Sequence, residues 1–115
     1  MKFLLVDDSP GFRAVEREVL NLAAGDVMEL DDGQDVLETY RHWRPDWVLM
    51  DIRMRQVDGL EATRRLVSLF PEARVIIVTN FTDAPFREQA LANGARAFVS
   101  KEHLEEIDQI ITSNQ

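Results

Sequence analysis

The chain has 115 residues and a formal net charge of −8, from 21 acidic and 13 basic side chains, with no cysteine. That length is one domain, and 45% apolar with 30% charged residues describes a folded chain rather than a disordered one. The acidic balance argues against direct nucleic-acid binding, because it repels phosphate backbones, and the lack of cysteine excludes disulfides, zinc thiolates and thiol catalysis.

Met1 and Lys2 precede only four apolar residues, Phe3 to Val6, before Asp7 and Asp8. A secretory core needs roughly 7–15 apolar residues and a membrane span about 20, so a cytoplasmic protein without membrane contact is expected. Phe3 to Val6 reads as a strand buried on both faces. Ser9 and Pro10 supply a helix cap and a first-turn proline. Phe12, Val15, Val19 and Leu22 follow at helical spacing, and Gly25 is expected to end that helix. Val27 to Leu30 reads as a weak strand, and a helix from about Gln34 to His42 carries Val36, Leu37 and Tyr40 until Arg44-Pro45-Asp46 breaks it. Trp47 to Met50 is a third strand closed by Asp51, and Ile52 to Gly59 a loop. Leu60, Thr63, Leu66, Val67 and Phe70 line the next helix, which Pro71 stops. Val75 to Val78 forms a fourth strand ending at Thr79. Thr82 or Asp83 caps a helix starting near Pro85, with Phe86, Ala90 and Leu91 facing inward and Gly94 closing it. Ala97 to Val99 is a short fifth strand, followed by Lys101 and a last helix bearing Leu104, Ile107, Ile110 and Ile111.

Five strand–helix pairs in alternation predict an α/β fold over residues 1–115, a doubly wound parallel sheet with helices on both faces and right-handed crossovers. Sites in such sheets form beyond the carboxyl ends of the strands. Asp7 and Asp8, Asp51, Thr79 and Lys101 all fall there. With strand order 2-1-3-4-5, the aspartates of the first and third strands meet. Carboxylates about 4 Å apart repel by about 4 kcal/mol at an effective dielectric near 20. A hard cation such as magnesium relieves that conflict with oxygen ligands. Thr79 offers a hydroxyl donor, and Lys101, about 9–10 Å away by strand spacing, reaches back only because its side chain is long. Carboxylate nucleophile, cation and lysine suffice for phosphoryl transfer. Taken singly, each residue also has a structural reading: Asp8 or Ser9 as helix cap, Asp51 as loop cap, Thr79 as strand end, Lys101 as solvated lysine.

Phe3-Leu4-Leu5-Val6-Asp7-Asp8-Ser9, Leu49-Met50-Asp51-Ile52-Arg53-Met54 with Asp58-Gly59-Leu60, Val75-Ile76-Ile77-Val78-Thr79, and Gly94 through Lys101 together resemble the receiver domain of bacterial two-component response regulators along nearly the whole chain. The resemblance also supports the flavodoxin-like order 2-1-3-4-5, known from chemotaxis receivers. It implies that Asp51 is the phosphoacceptor, served by a sensor histidine kinase or a phosphotransfer protein. Asp8 would hold Mg2+ directly and Asp7 mainly through water, with Asp51 and the Arg53 backbone carbonyl as further ligands. Thr79 and Lys101 would hold the phosphoryl oxygens, and Phe98 would be the switch aromatic, turning inward as Thr79 is drawn to the phosphate. The face of the fourth helix, fifth strand and fifth helix would then meet a downstream protein or a fused output domain, with a phosphorylation-dependent homodimer among the assemblies allowed. The chain would be no enzyme beyond its own phosphotransfer and dephosphorylation, and either a stand-alone receiver or part of a longer regulator.

Three positions depart from the family pattern. Arg55 replaces a usual proline and is expected to loosen the loop after Asp51. Glu102 replaces another and puts a cis peptide after Lys101 in doubt. Asn80, in place of a small residue, is expected to narrow access to the site. Arg53 and Phe81, each two residues beyond Asp51 and Thr79, are placed either to overhang a phosphoryl group or to point to solvent. Two other chemistries fit poorly: a haloacid dehalogenase-type phosphatase wants an aspartate where Arg53 stands, and a flavodoxin-type flavin site wants a phosphate-cradling loop where Asp7-Asp8-Ser9-Pro10 stands. The stronger rival is a non-phosphorylated interaction module on the same fold. His42 and His103 lack partners at ligand spacing and read as surface residues.

Overall fold

The computed structural model describes residues 1–113. Strands β1 (Phe3–Val6), β2 (Val27–Leu30), β3 (Trp47–Met50), β4 (Val75–Thr79) and β5 (Ala97–Ser100) form one parallel sheet in the order β2-β1-β3-β4-β5. Helices α1 (Pro10–Val19), α2 (Val36–Trp43), α3 (Gly59–Leu69), α4 (Ala84–Ala92) and α5 (Glu105–Ser113) connect and flank the strands. The expected fold and strand order are those observed. Among the described residues no helix is long and apolar enough to cross a membrane, and every peptide bond is trans, including Lys101–Glu102.

Side chains alternate across a strand, so each apolar run feeds two cores. Leu4, Val6, Val48, Met50, Val75 and Ile77 pack with Val36, Tyr40, Leu60, Leu66 and Ala90, from α2, α3 and α4. Phe3, Leu5, Trp47, Leu49, Ile76 and Val78 pack with Ile107 and Ile111 of α5, and with Phe12 and Leu20 at the two ends of α1. Burial on both faces explains why these strands are continuously apolar.

Two helices turn differently from their sequence spacing. The first stops at Val19, not near Gly25: Leu20 caps it and Asn21 turns the chain with φ of 52°. A short 3-10 turn at Ala24–Asp26 then leads into β2. Its inward stripe is Phe12, Glu16 and Leu20, while Val15 and Val19 face solvent. In α4, Ala90 is buried but Leu91 is 45% exposed. Asp83 holds the capping position of α4 without a side-chain capping bond. By contrast, Ser9 and Asp58 cap as their residue types favour, accepting from the Phe12 and Glu61 amides at 3.1 and 2.8 Å. Gly94, with φ of 102°, ends α4 where an L side chain would be strained and would crowd Val67.

Register places the polar residues. Val6 is level with Met50, and Thr79 with Ser100, so Asp7 and Asp51 emerge side by side and Lys101 emerges just past Thr79. The Asp51 amide donates to the Val6 carbonyl at 2.9 Å and the Lys101 amide to the Thr79 carbonyl at 3.0 Å. Behind Asp51, the Gly59 amide donates to the Ile52 carbonyl at 2.7 Å, bringing the start of α3 so close that a Cβ at residue 59 would overlap the Asp51 carbonyl. Gly59→Ala therefore has to displace backbone rather than a flexible side chain. Chemical denaturation is expected to show a loss of about 1–3 kcal/mol or more, and an unchanged midpoint would contradict this close approach.

Candidate functional site

At the carboxyl edge of the sheet, the carboxylates of Asp7, Asp8 and Asp51 each bring an oxygen within 4.8 Å of the others. Asp7 and Asp51 are buried and Asp8 is exposed. The Lys101 ammonium lies between the two buried acids, 2.8 Å from Asp7 Oδ2 and 3.2 Å from Asp51 Oδ2. Its extended side chain spans the strand between β3 and β5, as its length allows. Burial works against the ammonium's charge, but the hydrogen bond to Asp7 and the charges of Asp51 and Asp7 outweigh it and hold Lys101 above the usual lysine value.

The remaining acceptor atoms are braced by backbone. Asp7 Oδ1 accepts from the Ser9 amide at 2.9 Å, and Asp51 Oδ1 from the Ile52 amide at 2.8 Å. The Arg13 guanidinium donates to the Asp7 carbonyl. Asp8 makes no hydrogen bond or ion pair with the described residues; the cap of α1 is Ser9. Thr79 is fully buried, and its Oγ1 accepts from the Phe81 amide at 3.1 Å, leaving its own hydrogen to donate elsewhere. Phe98 is buried among the residues of the α3/α4 core. The Arg53 guanidinium stacks 4.5 Å from the centroid of the Phe81 ring, which lies 6.0 Å from that of Phe86. Asn80 is exposed. His42 and His103 are exposed beside Glu38 and Glu105 of neighbouring turns.

Two residues escaped the sequence reading. Asp32, in the turn after β2, accepts from the amides of Gln34, Gln56 and Val57 at 2.9, 2.8 and 3.0 Å. Its bonds to the Gln56 and Val57 amides pin the loop in which Arg55 stands, while the bond to Gln34 closes its own turn. The signal was Asp32-Gly33, an aspartate before glycine, which favours side chain-to-backbone bonding in a turn. Glu16 is 2% exposed, and its Oε1 has no hydrogen-bond partner. Desolvation, followed by the nearby charge of Asp7, pushes its carboxyl up to about 9. The spacing Phe12, Glu16, Leu20 was the clue to its inward position.

A model of the family described as "Response regulator receiver domain" matches residues 3–112. The response regulator GacA of Pseudomonas aeruginosa is 36% identical over 114 residues, which are 96% of this chain and 53% of that protein. This chain thus spans about half the length of such curated relatives. A LuxR-family two-component response regulator from Aurantimonas sp. superposes with a TM-score of 0.88 at 31% identity, over 97% of this chain and 82% of that one. A chain of the CheX–CheY–BeF3–Mg2+ complex from Borrelia burgdorferi shares the fold, with a TM-score of 0.81 at 24% identity, over 98% of this chain and 87% of that one.

Glu16 carries a pH signature. Its folded pKa of about 9 exceeds the ordinary 4.5, so its stabilising contribution is complete below about pH 4.5 and drains away as pH rises towards 9. By pH 7 the loss is roughly 3 kcal/mol. Glu16→Gln, which cannot ionise, is therefore expected to gain on the parent steadily between about pH 5 and 9 in metal-free melts. Parallel pH profiles would show that Glu16 is not held protonated.

Proposed function

Because the chain belongs to the response regulator receiver family, we propose that it is a phosphorylation-driven signalling switch whose phosphoacceptor is Asp51. The observation that carries this reading is the Lys101 ammonium bridging Asp7 and Asp51 while Asp8, alongside, has no partner among the described residues. The donor is a phosphohistidine of a sensor kinase or phosphotransfer protein, or a small acyl phosphate.

The donor set fits magnesium: three carboxylates within reach of one point, hard oxygen ligands throughout, and a half-buried lysine that offsets only part of their charge. Asp7, Asp8, Asp51 and the Arg53 carbonyl would hold it. When bound, the cation neutralises charge on the phosphoryl oxygens during transfer. The chain's own groups do the rest. Asp51 Oδ2, which faces Lys101, attacks phosphorus in line with the leaving imidazole. Lys101 follows the incoming oxygens as the charge on the Asp51 carboxylate is lost. Thr79 turns its free hydroxyl hydrogen towards a phosphoryl oxygen.

The signal leaves through α4, β5 and α5. Thr79 and Phe98 lie on adjacent strands, and the open depression beyond them is lined by Arg87, Leu91, Phe98 and Glu106. The exposed Leu91, unexplained by the fold, belongs to that surface. Phe98 is largely buried yet lines that depression, so its turn inward as Thr79 is drawn to the phosphate remodels this face, phosphorylation shifting the balance between two states of the chain. The partner is a downstream protein, a fused output domain or a second copy of the chain. Arg53, stacked on Phe81, would set how readily water reaches the acyl phosphate if the pair overhangs Asp51. The setting is cytoplasmic, and the only reactions catalysed are gain and loss of the chain's own phosphoryl group.

Acetyl phosphate with magnesium is expected to add the mass of one phosphoryl group to the parent and nothing to Asp51→Ala, read by intact-mass spectrometry. An adduct persisting in Asp51→Ala would place the acceptor elsewhere.

A further inference from the structure

Lys101 has a third neighbour besides the two aspartates. Its ammonium nitrogen lies 4.2 Å from the centroid of the Phe12 ring, within the range of a cation–π contact. The lysine side chain is only 13% exposed, and such contacts are strongest where water is excluded.

The ring is fixed by the same short segment that fixes Asp7. The Ser9 amide donates to Asp7 Oδ1, and Ser9 Oγ accepts from the Phe12 amide. Phe12 therefore cannot shift without disturbing the first turn of α1, and its ring packs against the apolar core of that face.

We propose that Phe12 is a positioning residue for phosphoryl transfer, its ring face holding the Lys101 ammonium beside Asp51 whether or not Asp51 carries a phosphoryl group. An ammonium has three donors and no acceptor. Two partners are carboxylates, and one of these, Asp51, exchanges its carboxylate charge for the charge of the phosphoryl oxygens, further out, when its oxygen bonds phosphorus. Asp7 would then compete with the phosphoryl oxygens for the ammonium and draw it towards β1. The ring keeps its quadrupole throughout and offers no proton acceptor to compete with them. Unlike the contact with Asp51, the ring's attraction is unchanged by the reaction, and unlike Asp7 it does not compete with the phosphoryl oxygens for the ammonium's hydrogen bonds.

The proposal rests on Asp51 being the phosphoacceptor, and its test separates the two. Phenylalanines bearing one, two, three and five fluorines are incorporated at residue 12 of the full chain; fluorination drains the ring face while nearly keeping its shape. Affinity for beryllofluoride with magnesium is expected to fall stepwise along the series, by on the order of fivefold in all, with the melting temperature unchanged. Phe12→Trp is expected to retain the affinity and Phe12→Leu to match the end of the series. A flat series, or losses that merely track melting temperature, overturns the role of the ring. If the parent itself fails to bind beryllofluoride, the Asp51 reading falls. The ring contact is then judged alone from the Lys101 side-chain proton resonances, expected upfield in the parent and normal in Phe12→Leu. Resonances equal in both overturn the contact.

Discussion

The bridge from Lys101 to Asp7 and Asp51 is the constraint on which the rest of the molecule depends. Two carboxylates buried at adjacent strand ends are untenable without a compensating charge. The compensating residue comes from beyond β5, two strands away from Asp51. The lysine therefore couples the centre of the sheet to its edge, where the signalling surface lies. Chemistry at Asp51 that moves its negative charge out onto other atoms must alter what holds the start of the segment after β5.

The fold keeps the other sides of the site from giving way. Backbone amides of Ser9 and Ile52 hold the second oxygens of the two buried acids. Gly59 brings α3 against the Asp51 carbonyl, and Asp32 grips the loop in between. These are short, directional contacts from rigid elements, so a reacting group entering the site meets a fixed wall rather than one that adjusts. Asp8 is the exception: exposed and unpartnered among the described residues, it is free to turn to a cation.

Alternation of apolar runs with amphipathic stretches made the architecture legible from sequence, and the abrupt closing of those runs by Asp7, Asp51 and Thr79 made the rim legible. What period-counting misread was the face of helices whose residues are chosen for something besides packing. On α1 a count of apolar positions favours Val15 and Val19, yet Glu16 is inside. A carboxyl group is stored there beside the acidic site at a cost in stability that no propensity scale registers. On α4 the apolar Leu91 is outside, as an interaction surface requires. The anchoring of the loop after Asp51 went unseen for a different reason: it comes from a hydrogen-bonding aspartate 24 residues before Gln56, and long-range polar contacts leave almost no local trace. The contact of Phe12 with Lys101 is invisible for the same reason.

If three gathered carboxylates are an electrostatic load awaiting a cation, removing one charge lightens it. Thermal melts of the parent and Asp8→Asn, with and without magnesium at fixed ionic strength, read that load most directly. The variant is expected to melt higher than the parent without metal. Magnesium at a hundredfold excess over its dissociation constant is expected to stabilise the parent by about 2.7 kcal/mol and the variant hardly at all. A variant that melts lower without metal, and gains as much from magnesium as the parent, would contradict the account.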